Sequence, residues 1–127
     1  RTATIYDPKF TDDASPTACV RRICQMGYSM QAAAYTSAIE RLIPLLAGRV
    51  NFVFLFCEPT APYAVTPVTL SGEFREYGAR RWRRAVELWG RCMAAKSWPT
   101  YTESVMTVEP PPWLLSQDMD QEIADVR

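Results

Sequence analysis

An apolar run near the middle of the chain limits the possible folds more than any other segment. It extends from Val50 to Cys57 and reads VNFVFLFC. Valine and phenylalanine dominate it, and β-branched and aromatic side chains favour strands. A short apolar run without polar alternation is typical of a strand buried on both faces in an α/β sheet. We therefore expect an α/β fold with this segment as a central strand.

Other segments carry weaker strand signals. Residues Thr2 to Phe10 are rich in β-forming residues and alternate in polarity, which predicts a strand with every second side chain on the same face. Tyr63 to Leu70 contains Pro67, which predicts an edge strand or a bulge. A further candidate, Ser104 to Val108, would bring the mixed sheet to about four strands, close to the usual sheet size.

Helical signals separate the strand candidates. Ser15 followed by Pro16 is an N-cap with proline at the first helical position, and it predicts a helix that ends before Gly27. Further helices are predicted over Ser29 to Ile43, Gly72 to Ser97 and Trp113 to Asp125. In the longest helix, the apolar periodicity predicts an inward stripe of Phe74, Ala85, Leu88, Trp89 and Cys92. The whole pattern predicts a mixed central sheet flanked by helices.

Composition restricts the possible functions. The 127 residues, 48% of them hydrophobic, fit one domain, 1–127. No apolar run approaches the roughly 20 residues of a membrane span, so we expect a cytoplasmic protein without membrane contact. With 14 basic and 14 acidic residues, any nucleic-acid contact must depend on a local patch. The absence of histidine excludes Ser-His-Asp and Cys-His catalysis and leaves carboxylates and lysine for chemistry.

Two short motifs are candidates for that chemistry. In Asp7-Pro8-Lys9, a carboxylate and an ammonium lie two residues apart on one strand face, where the acid could hold Mg²⁺ while the lysine steadies a water or phosphate. Pro8 lacks the N–H of a central strand, so we expect a local irregularity there. Gln31 and Tyr35 lie four residues apart, on one face of an alanine-rich helix.

These motifs are part of a longer resemblance. Asp7-Pro8-Lys9 is followed by Asp13-Ala14-Ser15-Pro16, by GYSMQAAAY from Gly27 to Tyr35, by Phe52-Val53-Phe54 through Pro62-Tyr63-Ala64-Val65, and by Trp98-Pro99-Thr100-Tyr101. In this order they resemble the nuclease domain of exodeoxyribonuclease VIII (RecE-like) proteins and their phage relatives, within the PD-(D/E)XK superfamily of restriction-endonuclease-like folds. The Gln-x-x-x-Tyr element is similar to that of RecB-type nucleases. The resemblance covers nearly the whole chain.

The resemblance implies a Mg²⁺- or Mn²⁺-dependent DNA exonuclease that digests double-stranded DNA ends from 5′ to 3′ in phage-type recombination. It implies the Asp7 side chain and the Pro8 carbonyl as metal ligands and Lys9 as the catalytic lysine. Gln31 and Tyr35 would line the active site. It further implies a homo-oligomer, a single-strand annealing protein as partner, and an upstream metal-binding acid that precedes Arg1 in a longer nuclease domain.

Alternative roles stay open for the candidate site residues and for the charged residues of the helices. Arg21 and Arg22, on the helix between the motifs, are candidates for phosphate contacts. The arginines of the longest helix alternate with glutamates, which favours a solvated, salt-bridged face. Asp7 and Lys9 could form a surface ion pair, and Gln31 and Tyr35 a satisfied polar pair under a loop. For the whole chain, the alternative is a catalytically inactive PD-(D/E)XK domain that serves as a DNA-binding or assembly module.

Overall fold

A computed structural model describes residues 1–102 and 104–117. The chain divides into two compact units, Arg1–Ala95 and Lys96–Arg127. In the second unit, residues 112–117 are helical, whereas Ser104 to Val108 do not form the predicted strand. The predicted helix over Trp113 to Asp125 is therefore present at its start, and its remainder lies outside the described residues.

The first unit is built on a mixed, three-stranded sheet with the order β1-β2-β3. Its strands are β1 (Ala3–Phe10), β2 (Val50–Cys57) and β3 (Val65–Val68). The central strand β2 is parallel to β1 and antiparallel to β3. The register places Asp7 beside Phe54 and Lys9 beside Phe56. The α/β class and the central position of the apolar run are confirmed.

Both edge strands carry a proline. The Thr11 N–H donates to the Cys57 carbonyl at 3.0 Å, so the odd-numbered residues of β1 pair with β2 and Pro8 faces the open edge. Pro8 therefore removes no ladder hydrogen bond, and β1 continues without the irregularity that the sequence led us to expect. Pro67 lies on β3, the other edge strand, as predicted.

Three helices accompany the sheet in the first unit: α1 (Pro16–Met26), α2 (Tyr28–Leu42) and α3 (Gly72–Ala95). The Ser15 hydroxyl caps α1 by accepting from the Ala18 N–H at 3.4 Å. Gly27 ends α1 and precedes α2 with φ +66°, a left-handed conformation that glycine adopts without steric cost. This single residue turns the chain between the two helices.

The core lies between the helices and one face of the sheet. Phe52, Phe54 and Phe56 of β2 are buried there with Cys19 and Ile23 of α1. On the opposite face, Tyr6 and Phe10 are 64% and 73% exposed, and the alternate residues of β2 are not fully buried. The prediction that β2 is buried on both faces is therefore wrong, because the helical layer of this unit packs on one face.

Helix α3 packs against α2 near its start and becomes exposed along its second half. Leu88 and Trp89, which the periodicity placed inward, are 46% and 61% exposed, whereas Cys92 is buried as predicted.

Among the described residues, none of the helices combines the length and the hydropathy required of a membrane span.

Candidate active site

Asp7 and Lys9 lie side by side on the helix-covered face of β1. Their side chains are only 15% and 16% exposed, and Lys9 Nζ lies 2.9 Å from Asp7 Oδ2. Burying a charged pair costs free energy unless further polar contacts compensate for the lost hydration. The alternative of a solvated surface ion pair at a strand end is therefore wrong. A largely buried pair requires additional partners.

One oxygen of the Asp7 carboxylate, Oδ2, is buried without a hydrogen bond to any described residue. Although Oδ2 is close to Lys9, the direction of approach does not meet hydrogen-bond geometry, so this buried oxygen accepts no hydrogen bond within the described part of the chain. A buried acceptor without a hydrogen bond is costly. Asp7 Oδ2 is therefore available for a cation or a further donor.

Gln31 supplies the aligned partner of the lysine. Lys9 Nζ donates to Gln31 Oε1 at 2.9 Å, which joins β1 to the first turn of α2. The turn at Gly27 and the close approach of α3 at Gly78 fix this end of α2. A Cβ at Gly78 would lie 2.2 Å from the Ser29 carbonyl oxygen, so only glycine permits this approach.

Tyr28 contacts Lys9, although it belongs to neither of the two sequence motifs. Its ring centroid lies 4.3 Å from Lys9 Nζ, a cation–π distance. The same ring stacks on Phe54 with a centroid separation of 5.7 Å. The spacing of Tyr28, Gln31 and Tyr35, three and then four residues, places them along one helical face, and this was the signal available in the sequence.

Tyr35 lies one turn beyond Gln31 on α2. Its side chain is 51% exposed, and its ring contacts Phe52 at a centroid separation of 6.3 Å. Asp7, Lys9 and Gln31 thus form one group, while Tyr35 packs on Phe52 one helical turn away. Gln31 and Tyr35 share one face of the helix, as predicted from their spacing. Gln31 is satisfied by Lys9 and not by Tyr35.

The two candidate arginines differ in their surroundings. Arg22 is partly buried and its Nη2 donates to Thr11 Oγ1 at 3.0 Å, at the residue that follows β1. Thr11 is two residues beyond Lys9, a separation of about 7 Å along an extended strand. Arg21 is exposed and lies near Asp13. Both arginines line one cavity with Thr11, but among the described residues only Arg22 donates a hydrogen bond to it.

Asp13 follows the same segment and lies two residues before Ser15, the N-cap of α1. The Ser15 N–H donates to Asp13 Oδ1 at 2.8 Å. This backbone hydrogen bond, the Ser15 side chain and the positive charge of Arg21 lower the pKa of Asp13 below its ordinary value of 3.8. Asp13 thus stays ionised and adds a negative charge beside Arg21.

The donor set of the group fits a hard divalent cation in part. Asp7 Oδ2 is a buried carboxylate oxygen without a hydrogen bond. The Pro8 carbonyl points to the open edge of β1, because only the odd-numbered residues of β1 pair with β2. Mg²⁺ in proteins commonly takes one or two carboxylates and completes its shell with water and substrate phosphate. Within the described ranges, no three acidic, cysteine or histidine side chains gather into a metal-binding cluster.

Cavities of the first unit lie away from the Asp7-Lys9-Gln31 group, as two examples show. One of about 280 Å³ is lined by residues of α2, β2 and α3, including Glu40 and Arg75. Another of about 530 Å³ is lined by Cys24, Tyr77 and Arg81 among others. Neither is lined by Asp7, Lys9 or Gln31. A substrate of the Asp7-Lys9-Gln31 group would therefore approach outside these cavities.

Comparison of the chain with known proteins gave no family model that matches it and no match among curated proteins.

Proposed function

We propose that this chain carries the active site of a metal-dependent deoxyribonuclease that hydrolyses DNA phosphodiester bonds. The main support for this proposal is one largely buried polar group. It brings together Asp7 and Lys9 from a strand and Gln31 from a helix. Buried charges are costly, and such groups concentrate at functional sites. The restriction-endonuclease-like core and membership of the PD-(D/E)XK superfamily are part of the same proposal, supported by the α/β fold and the motif order.

Lys9 is the residue that acts on the reacting phosphate. Hydrolysis forms a bond from a water oxygen to phosphorus and breaks the bond to a sugar oxygen; the water gives up a proton and the released sugar oxygen gains one. Negative charge grows on the phosphoryl oxygens in the transition state. The Lys9 ammonium stabilises this charge and orients the water. Gln31 holds the ammonium in place through its 2.9 Å hydrogen bond. No histidine is required for these roles.

Asp7 and Pro8 supply the cation ligands. Asp7 Oδ2, which accepts no hydrogen bond within the described residues, and the Pro8 carbonyl would hold Mg²⁺ or Mn²⁺, with water and phosphate oxygens completing the shell. A bound divalent cation would lower the pKa of a coordinated water and neutralise phosphate charge. Asp7 then has two functions, because it also neutralises Lys9 when no substrate is present.

Contacts with the DNA backbone are assigned to Arg22 first and to Arg21 second. Arg22 is held by Thr11 and has no carboxylate partner among the residues that the structure describes. An arginine without an acidic partner is well suited to bind phosphate. Tyr35 is half exposed and lies one helical turn from Gln31.

From the resemblance alone, we add duplex DNA ends as substrate, 5′ to 3′ polarity, assembly with further copies and a single-strand annealing partner.

The test is digestion of linear duplex DNA with Mg²⁺ or Mn²⁺ by the full-length protein, including the upstream acid that the resemblance implies, and by its Asp7→Asn and Lys9→Ala variants. Lys96→Ala is the matched control, because Lys9 and Lys96 are the only lysines in the chain. Asp12→Asn serves the same purpose for Asp7. We expect both site variants to lose digestion while both controls retain it. A protein without activity, or site variants as active as their controls, would refute the proposal.

A second candidate is a catalytically inactive domain that binds DNA or supports assembly. The observation in its favour is that Lys9 already has three contacts within the protein, with Asp7, Gln31 and the Tyr28 ring. Such a domain would bind duplex DNA without digesting it in Mg²⁺. Its binding would depend on Arg22 and remain unchanged in Lys9→Ala.

A further inference from the structure

We propose that Tyr28 is a positioning residue for Lys9, and that its ring holds the lysine ammonium in the orientation required for phosphate chemistry. This inference rests on the proposed function, since Lys9 is the catalytic group there. The distance from Lys9 Nζ to the Tyr28 ring centroid is 4.3 Å. Because the Lys9 side chain is largely buried, water weakens this attraction less than at an exposed site.

The Tyr28 ring packs on two phenylalanines of the central strand. It stacks on Phe54 at 5.7 Å with an interplanar angle of 24°, and it contacts Phe56 at 6.4 Å. Both phenylalanines are fully buried, and they are the register partners of Asp7 and Lys9 on the neighbouring strand. The ring therefore lies over the part of β2 beside the charged pair and packs against the core.

The ring complements the two polar partners of Lys9. A lysine has a flexible four-carbon stem and three N–H donors, so one hydrogen bond does not fix its head group. Gln31 accepts the one aligned hydrogen bond, and the Asp7 contact is close but not aligned. The ring attracts the ammonium through its quadrupole and does not occupy an N–H as a strong acceptor would. Donors thus stay available for water or phosphate.

A purely structural function for Tyr28 is the competing explanation, because the ring also covers Phe54 and Phe56. Tyr28→Phe keeps the ring and its π-face but removes the hydroxyl. Tyr28→Leu keeps an apolar side chain but removes the π-face. A structural function requires apolar volume, whereas positioning of Lys9 requires an aromatic ring. The two variants therefore separate the explanations.

A spectroscopic measurement tests the contact without any need for activity. The chain has two lysines, so protein labelled with ¹³C at the lysine ε-carbon gives two methylene signals, and Lys96→Arg assigns them. Protons near the face of an aromatic ring are shifted upfield. We expect the Lys9 signal upfield of the Lys96 signal in the wild type and in Tyr28→Phe, and we expect the displacement to vanish in Tyr28→Leu.

Nuclease kinetics complete the test. We expect Tyr28→Phe to stay within about twofold of wild-type kcat and Tyr28→Leu to lose on the order of tenfold, with KM little changed. A wild-type Lys9 signal without upfield displacement overturns the inference, even if Tyr28→Leu fails to fold. A Lys9 signal or kcat unaltered by Tyr28→Leu also overturns it. If the signal responds as expected in a protein that digests no DNA, the contact stands and the nuclease proposal fails.

Discussion

Lys9 and Gln31 are 22 residues apart in the chain, and their side chains meet at 2.9 Å. The contact joins the first strand to the first turn of α2. It exists because Gly27 turns the chain between α1 and α2 and so brings the start of α2 over β1 and β2. Since Lys9 also contacts Asp7, the hydrogen bond links a helix to a charged pair on the sheet.

Replacement of Gln31 by leucine should therefore affect both stability and activity. Loss of a hydrogen bond to a charged group costs about 1.5–3 kcal/mol of unfolding free energy. With its orientation released, Lys9 should support a kcat lower by about tenfold or more. Gln31→Glu keeps an acceptor and should retain most of the stability.

Urea unfolding and DNA digestion measure the two effects. Gln25→Leu is the matched control, because Gln25 is exposed on α1. If Gln31→Leu behaves as Gln25→Leu does in both measurements, the Lys9-Gln31 contact has no functional importance.

Metal binding at Asp7 gives a prediction that does not depend on activity. A ligand that binds only the folded protein raises its stability by about 1.4 kcal/mol at about ten times its dissociation constant. We expect Mg²⁺ to raise the Tm of the wild type and of Asp12→Asn but not of Asp7→Asn. Calcium should act similarly, since it also prefers oxygen ligands. An equal response of Asp7→Asn and wild type would place any cation elsewhere.

Local signals in the sequence predicted much of the fold correctly. The apolar run at 50–57 is the central strand, Ser15 caps α1, and Pro67 lies on an edge strand. Each of these properties depends on residues adjacent in the chain, such as a missing N–H or a capping hydroxyl. The spacing of Gln31 and Tyr35 also follows from helix geometry alone.

Properties that depend on distant partners were less predictable. The apolar stripe of α3 has the periodicity of a buried face, but periodicity does not reveal whether another layer covers it, and Leu88 and Trp89 are exposed. The contact of Tyr28 with Lys9 requires the parallel register of β1 and β2 as well as the placement of α2. The separation of Lys9 and Tyr28 along the sequence predicts neither the strand register nor the placement of the helix.

The lowered pKa of Asp13 predicts an acid-dependent part of the stability. Because the folded pKa lies below the ordinary value of 3.8, the charge of Asp13 stabilises the fold above that pH. This contribution is lost as the pH falls through the lower folded value. Asp13→Asn should be less stable than wild type at pH 6, and the difference should close on acidification towards pH 2.

Unfolding free energies measured from pH 6 to pH 2 test this dependence. Asparagine keeps the oxygen that accepts from the Ser15 N–H, so the comparison isolates the charge. Asp12→Asn, at the exposed neighbouring position, is the control. A stability difference for Asp13→Asn that stays constant with pH would contradict the assigned charge effect.

Two glycines of α3 give opposite predictions for the same substitution. Alanine is favoured over glycine in a helix interior by about 1 kcal/mol. At Gly90 nothing lies within 4 Å of an added Cβ, so Gly90→Ala should raise the unfolding free energy by about 0.5–1 kcal/mol. At Gly78 the added Cβ would lie 2.2 Å from the Ser29 carbonyl oxygen, which is backbone and cannot rotate away. Gly78→Ala should instead lower stability, by about 1–3 kcal/mol.

The Gly78 variant also tests how the fold supports the site. Ser29 lies between Tyr28 and Gln31, so displacement of α3 from α2 at this point should move both partners of Lys9. We expect Gly78→Ala to lower DNA digestion more than Gly90→Ala, at a temperature where both variants are folded by circular dichroism. Equal stability and equal digestion in the two variants would show that close packing of α3 on Ser29 does not position Tyr28 and Gln31 around Lys9.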